Sequence, residues 1–195
     1  MKERPILFSG PMVRAVLEGR KTMTRRVVKL RYGADVVVTN GQVWKPARVD
    51  YAGYVDCPYG QVGDRLWVRE AFSGPHCMDA SDGCKAVPPS KWGDCSRIWY
   101  WADGNMTEGD WTRPRPSIHM PRWASRILLE IVAVRVERLQ DISEADAQAE
   151  GCPFQNMADG PDPTQWYADL WQQINGPGSW SINPWVWCIS FRRID

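Results

Sequence analysis

Residues 11–30 place a helical period and a strand period back to back with no linker between them. Pro11-Met12-Val13-Arg14-Ala15-Val16-Leu17 puts Val13, Val16 and Leu17 on one helical face; Pro11 suits a first turn and Gly19 an end. Thr24-Arg25-Arg26-Val27-Val28-Lys29-Leu30 then carries the β-branched and apolar residues of a strand. The chain must leave the helix and enter the strand within Arg20-Lys21-Thr22-Met23-Thr24. Six of the ten residues from Leu17 to Arg26, namely Arg20, Lys21, Thr22, Thr24, Arg25 and Arg26, carry hydrogen-bond donors.

A lysine held beside other cations or away from water loses proton affinity and can serve as base or nucleophile near neutral pH. Arg20, Arg25 and Arg26 could exert that pressure on Lys21, and the hydroxyls of Thr22 and Thr24 could meet a substrate oxygen. Composition alone favours the plainer reading, a solvated basic helix end that the helix dipole stabilises.

Further along, Arg4 to Ser9 reads as a short extended segment. Val36-Val37-Val38 and Val43-Trp44, separated by a stretch containing Asn40-Gly41, read as a hairpin. Arg65 to Phe72 reads as a strand with Leu66, Val68 and Glu70 on one face. A carboxylate there implies either a strand end or a buried partner such as Lys21 or Arg26. Arg97 to Ala102 is expected as another strand, and Ser125 to Leu139 as a long core strand bent near Ala133. Ser143 is placed as the N-cap of a helix ending at Gly151, with Glu150 in its last turn. An acid opposes the dipole at that position, which hints at a partner elsewhere. A helix over Thr164 to Asn175, with Trp166, Leu170, Trp171 and Ile174 on its apolar face, and a final strand from Trp185 complete the chain.

Residues 73–94 lack a period and look like a long loop. Cys57, His76, Cys77, Cys84 and Cys95 raise the question of zinc, but the spacings match no standard site and no Cys-x-x-Cys occurs, so ordinary thiols and no metal or cofactor are expected. Residues 111–123 interleave Arg113, Arg115 and Trp123 with prolines that forbid a helix. Such a segment can stack bases and hold phosphates, or can pack across one end of the fold.

Gly19-x-Lys21-x-x-x-x-Arg26 matches the G-x-K-x-x-x-x-R signature of the ASCH superfamily, and the order of later segments resembles that family, from Gly63-Asp64 through Ala147-Gln148-Ala149-Glu150-Gly151 to the closing strand. The resemblance is strongest to ASCH-domain proteins encoded by tailed phages and prophages. It implies an α+β fold: a small PUA-like β-barrel with flanking helices, as a single domain over residues 1–195 with insertions at about 31–61 and 73–123. One small bacterial enzyme of the family hydrolyses the amide of N4-acetylcytidine. By motif position, the resemblance assigns Lys21 as nucleophile or base, Thr24 as hydroxyl partner and Glu150 as the carboxylate that orients Lys21, with Arg26 binding a base carbonyl or phosphate.

Three functions compete on this reading. The first is a nucleoside-directed amidohydrolase using Lys21, Thr24 and Glu150. The second is a non-catalytic or ribonucleolytic module that binds single-stranded RNA or DNA through Arg20, Thr22, Arg25, Arg26, Arg69, Glu70, Arg113, Arg115 and Trp123. The third is a phage accessory protein that binds a host protein through a tryptophan-rich surface, twelve tryptophans being present. A net charge of +1 argues against bulk electrostatic coating of nucleic acid. Yet residues 1–31 hold nine Lys or Arg against two acids, whereas 141–170 hold seven acids and no Lys or Arg. No long apolar run suggests a leader or membrane span, so a cytoplasmic monomer is expected.

Overall fold

The computed structural model describes residues 1–29, 37–39, 42–44, 55–74, 98–105, 111–154 and 160–194. In chain order the elements are strand β1 (Glu3–Leu7), helix α1 (Gly10–Leu17), strand β2 (Met23–Val27), strands β3 (Val37–Thr39) and β4 (Gln42–Trp44), β5 (Arg65–Arg69), β6 (Phe72–Ser73), β7 (Trp99–Tyr100), β8 (Leu128–Arg138), helices α2 (Glu144–Ala149) and α3 (Pro163–Asn175), and β9 (Trp185–Arg193). Five strands form one sheet in the order β1-β5-β8-β9-β2, while β3 with β4 and β6 with β7 make two small ribbons. Only β1 and β5 run parallel in the large sheet.

The sheet is open, which corrects the barrel expectation: no ladder joins its edge strands β1 and β2. Four strand spacings of about 4.8 Å would put those edges roughly 19 Å apart in a flat sheet. Here the Arg26 guanidinium in β2 donates to the Leu7 carbonyl at the end of β1 over 2.8 Å, so the sheet curls without closing. The Arg26 side chain, not a ladder, bridges the two edges there. The class is therefore α+β with an open sheet.

Alternation sets the two faces. Ile6, Val13, Val16, Leu66, Val68, Leu129, Ile131, Ile189 and Phe191 form one core cluster, with Val134 and Val136 packed against it. On the other face Met23, Val186 and Cys188 pack with Leu139, Ala147, Tyr167 and Trp171, so α2 and α3 cover that side. β8 has a register shift between Ile131 and Ala133, where the bend was expected.

Local chemistry accounts for most boundaries. Ser143 caps α2 by accepting from Asp146 N–H, and Asp162 caps α3 by accepting from the Thr164 and Gln165 N–H groups, so α3 begins at Pro163, one residue before the expected start. The β3–β4 ribbon has the expected antiparallel register; its Asn-Gly turn lies outside the described residues. The strand expected to reach Phe72 stops at Arg69, because Phe72 and Ser73 pair with β7 instead. The strand expected over 97–102 shortens to Trp99–Tyr100 and passes into a 3-10 turn at Trp101–Asp103. In α3 the buried face is Tyr167, Ala168 and Trp171; of the predicted stripe Trp171 is buried, Trp166 and Leu170 are partly buried against the same cluster, and Ile174 is exposed. No helix among the described residues is long and apolar enough to cross a membrane.

The two β8 positions Leu129 and Val132 separate core from surface. Leu129→Ala, at a fully buried site, should lower stability by about 2–5 kcal/mol. Val132→Ala, at a site 44% exposed beside the register shift, should change it by less than about 0.5 kcal/mol. Urea denaturation of the two variants checks the contrast.

Candidate functional site

The helix-to-strand junction is built against the end of α2. Gly19 takes φ +76° and releases the chain from α1; Lys21 N–H then donates to Ala15 O over 2.9 Å and Thr22 N–H to Ala149 O over 2.8 Å. Lys21 and Glu150 form an isolated antiparallel bridge, 129 residues apart in sequence. Gly151 follows Glu150 at φ +103°, and a Cβ on it would lie 3.0 Å from the Ala15 Cβ and 3.2 Å from the Lys21 Cβ. Both the backbone angle and the close approach demand glycine there.

Lys21 is 2% exposed, and its ammonium meets three acceptors: the Glu150 carboxylate at 2.6 Å, Met23 O at 2.7 Å and Glu150 O at 2.9 Å. Three N–H bonds and three oxygens make a complete set. Burial holds the Lys21 pKa below its ordinary value, opposed by Glu150 and assisted by Arg26 and Arg25.

Glu150 is also 3.5 Å from Arg25, whose guanidinium bonds Glu137 at 2.6 Å and Asp146 at 2.8 Å. Arg135 completes the chain by bonding both Glu137 and Asp146. The result is a network running Lys21, Glu150, Arg25, Asp146 and Glu137, Arg135. Burial works against the Glu137 carboxylate, but hydrogen bonds from Arg25 and Arg135 outweigh it and hold its pKa below the usual value. The neighbouring Tyr167 hydroxyl, buried and near Glu150, is pushed well above its ordinary range.

Beside this network a cleft of about 60 Å³ lies between the free edge of β2 and α3. At roughly 10–15 Å³ per water it has room for about four to six waters, the bulk of a single aromatic ring. One wall is polar, with Thr24, Arg25, Arg26 and Glu150; the other is Tyr167, Leu170, Trp171 and Ile174. Two buried donors that line it, Arg26 Nε and Trp171 Nε1, have no partner among the described residues. Thr22 O and Val28 N bond to β9. By the alternation of an antiparallel ladder, the main-chain groups of Met23, Arg25 and Val27 therefore face the open edge; Met23 O, bonded to the Lys21 ammonium, does so.

Lys21, Thr24, Arg25, Arg26 and Glu150 thus come together. Arg20 and Thr22 do not line the cleft; they line a separate hollow with Gln148, Cys152 and Phe154, where Arg20 bonds Glu18 and Gly151 O. Arg69, Glu70, Arg113, Arg115 and Trp123 belong to neither. Arg69 lies over Trp67 and bonds Ile118 O, Arg115 pairs its backbone with Phe72, Arg113 is exposed and Trp123 is 42% exposed. Glu70 is 1% exposed and meets Arg126, not Lys21 or Arg26; burial raises its pKa against that pairing.

Sequence reasoning missed Asp146, Glu137 and Arg135, and missed Tyr167 as a wall. A visible signal existed in Val134-Arg135-Val136-Glu137, whose alternation puts two opposite charges on one strand face. Among the described residues no group of His, Cys, Asp and Glu could hold a metal ion. His76, Cys77, Cys84 and Cys95 lie outside them, and Cys57 is a free, half-buried thiol.

No family model matches the chain, and no curated protein matches it. Among solved structures the chain is similar to a protein of Enterococcus faecalis assigned to the DUF984 family, at 11% identity and TM-score 0.44, covering 100% of this chain and 82% of that one. It is likewise similar to an ASCH domain from Lactobacillus crispatus, at 11% identity and TM-score 0.45, covering 98% and 79%. These are likenesses of backbone outline, and they carry no chemistry. Neither likeness bears out the specific expectation of N4-acetylcytidine hydrolysis, and the Lys21 nitrogen is within hydrogen-bond distance of three oxygens.

Three measurements test this construction. Lys21→Met, which leaves Glu150 buried without its nearest cation, should cost about 3–5 kcal/mol in urea denaturation, and Lys21→Met with Glu150→Leu should recover much of the loss. Gly151→Ala should destabilise by about 1–3 kcal/mol from its positive φ alone, measured the same way. Glu137 has a folded pKa below its unfolded value of 4.5, so its contribution is fully present above 4.5 and is lost as pH falls through the folded value. In a series of thermal melts, Glu137→Gln should therefore flatten the decline of Tm below pH 4.5.

Proposed function

We propose that the chain is a binding module whose cleft between β2 and α3 receives one base of a single-stranded nucleic acid, or the corresponding free nucleoside. One observation carries this reading: two buried donors without partners among the described residues, Arg26 Nε and Trp171 Nε1, line a cleft with a polar strand edge on one side and aromatic and aliphatic side chains on the other. A buried donor left unbonded costs about 1–3 kcal/mol, and a flat heterocycle with ring nitrogens and carbonyl oxygens would satisfy both while its faces meet the apolar wall. The acids around the cleft, Glu150 and Asp146, are matched by Lys21 and Arg25, so the site suits a neutral base better than a polyphosphate.

A hydrolytic use of the junction is favoured by one feature, the lowered proton affinity of Lys21 in contact with Glu150. It would require Lys21 to give up a proton and one of its three acceptors before attacking an amide.

Calorimetric titration with cytidine, uridine, N4-acetylcytidine and a short single-stranded RNA tests the proposal. Trp171→Phe, which removes one donor but keeps the ring wall, should weaken base binding about tenfold, equivalent to roughly 1.4 kcal/mol. With one or two phosphates engaged, the slope of log affinity against log salt for the RNA should be about −0.7 to −1.4. Absence of binding by every nucleoside and by RNA would remove the proposal. Steady acetate release from N4-acetylcytidine, abolished by Lys21→Ala, would replace it with the hydrolytic reading.

A further inference from the structure

A second cavity, of about 430 Å³, lies at the other side of the β8–β9 pair and shares no lining residue with the cleft. Its walls come from β1, the turn before β5, β8 just past the register shift, and Trp187 of β9. Arg4 sits on the core-facing side of β1 with Ile6, where alternation ordinarily places an apolar residue. Its Nε is buried and has no hydrogen-bond partner among the described residues.

The acids nearby do not supply that partner. Asp64 is held by the main-chain N–H groups of Lys2 at 2.7 Å and Gln61 at 3.4 Å, and Asp56 is exposed. Lys2 and Arg4 line the cavity, while the Arg135 guanidinium is turned to the other sheet face, where it bonds Glu137 and Asp146. A guanidinium with a buried N–H that no described residue bonds, opening into a roomy polar cavity lined also by Lys2, has the chemistry of an oxyanion receptor. Its planar fork suits two oxygens on one phosphorus.

We propose that this cavity is a phosphate-binding site in which Arg4 makes the principal contact, with Lys2 as a flanking cation. The phosphate belongs either to a free mononucleotide or to the backbone of a nucleic acid, and the site stands independently of what the cleft binds.

The test is titration of the full chain, in chloride of matched ionic strength, with inorganic phosphate, a nucleoside, its 5′-monophosphate and a single-stranded trinucleotide. Inorganic phosphate and the monophosphate should bind saturably. Arg4→Ala should weaken both at least tenfold and Arg4→Lys less, while nucleoside affinity stays as in the parent. Because Arg4 has an unbonded donor, Arg4→Ala should melt at or above the parent Tm. Tighter binding of the trinucleotide than of the monophosphate assigns the phosphate to a chain, and the reverse order assigns it to a free nucleotide; either order supports the site. Absence of saturable phosphate binding, equal phosphate affinity in Arg4→Ala, or a clear fall in its Tm overturns the proposal. Loss of nucleoside binding in the parent would count against the cleft alone.

Discussion

An ammonium cannot be taken out of water unless oxygens replace the water on all of its N–H bonds. Lys21 meets that requirement with one carboxylate and two carbonyls, and two of the three come from Glu150. Much else in the fold follows from it. Glu150 must arrive at the exit of α1, so α2 must end there. The chain must then leave without filling the space of Lys21 and Ala15, so Gly151 has no side chain. The carboxylate needs a second cation on its far side, which Arg25 supplies, and Arg25 in turn needs Asp146 and Glu137.

This chain of charges explains why one face of the sheet is polar yet covered. Arg25, Cys188 and Arg135 are in register across β2, β9 and β8. Left open, such a row would be an ordinary solvated face. The helices α2 and α3 close over it, and because the charges pair with one another the closure does not strand them. The cover is incomplete at the outer edge of β2. There α3 stands off the strand and leaves a cleft, with the strand's main chain and polar side chains on one wall and rings on the other. Openness of the sheet matters here: a ladder closing β1 onto β2 would occupy the edge that the cleft uses.

Much of the backbone was legible in advance because it rests on near-neighbour chemistry. The Ser143 cap, the positive-φ Gly151, the bend in β8 and the direct passage from α1 to β2 each follow from residues a few positions apart. Boundaries failed where a distant partner decided them. Phe72 leaves the β5 line because β7 and Arg115 compete for its backbone, and Glu70 finds Arg126, fifty-six residues away. The apolar stripe expected on α3 held in part: Trp171 is buried and Trp166 and Leu170 pack against the same cluster, but Tyr167 joins them and Ile174 is left exposed at the cleft. Periodicity identifies an apolar face without saying how much of it a neighbour covers.

From its residues alone the chain determined which segments are helix or strand, where the main turns fall, and that a lysine and arginines would crowd the first helix-to-strand junction. Those properties depend on φ/ψ preference and side-chain spacing, which act over a few bonds. Tertiary structure alone decided that the lysine is buried rather than solvated, that the sheet stays open, and that two donors beside a cleft have no partner among the described residues. Each of these depends on which distant groups displace water from one another, and desolvation is a property of the assembled interior that no local stretch of sequence carries.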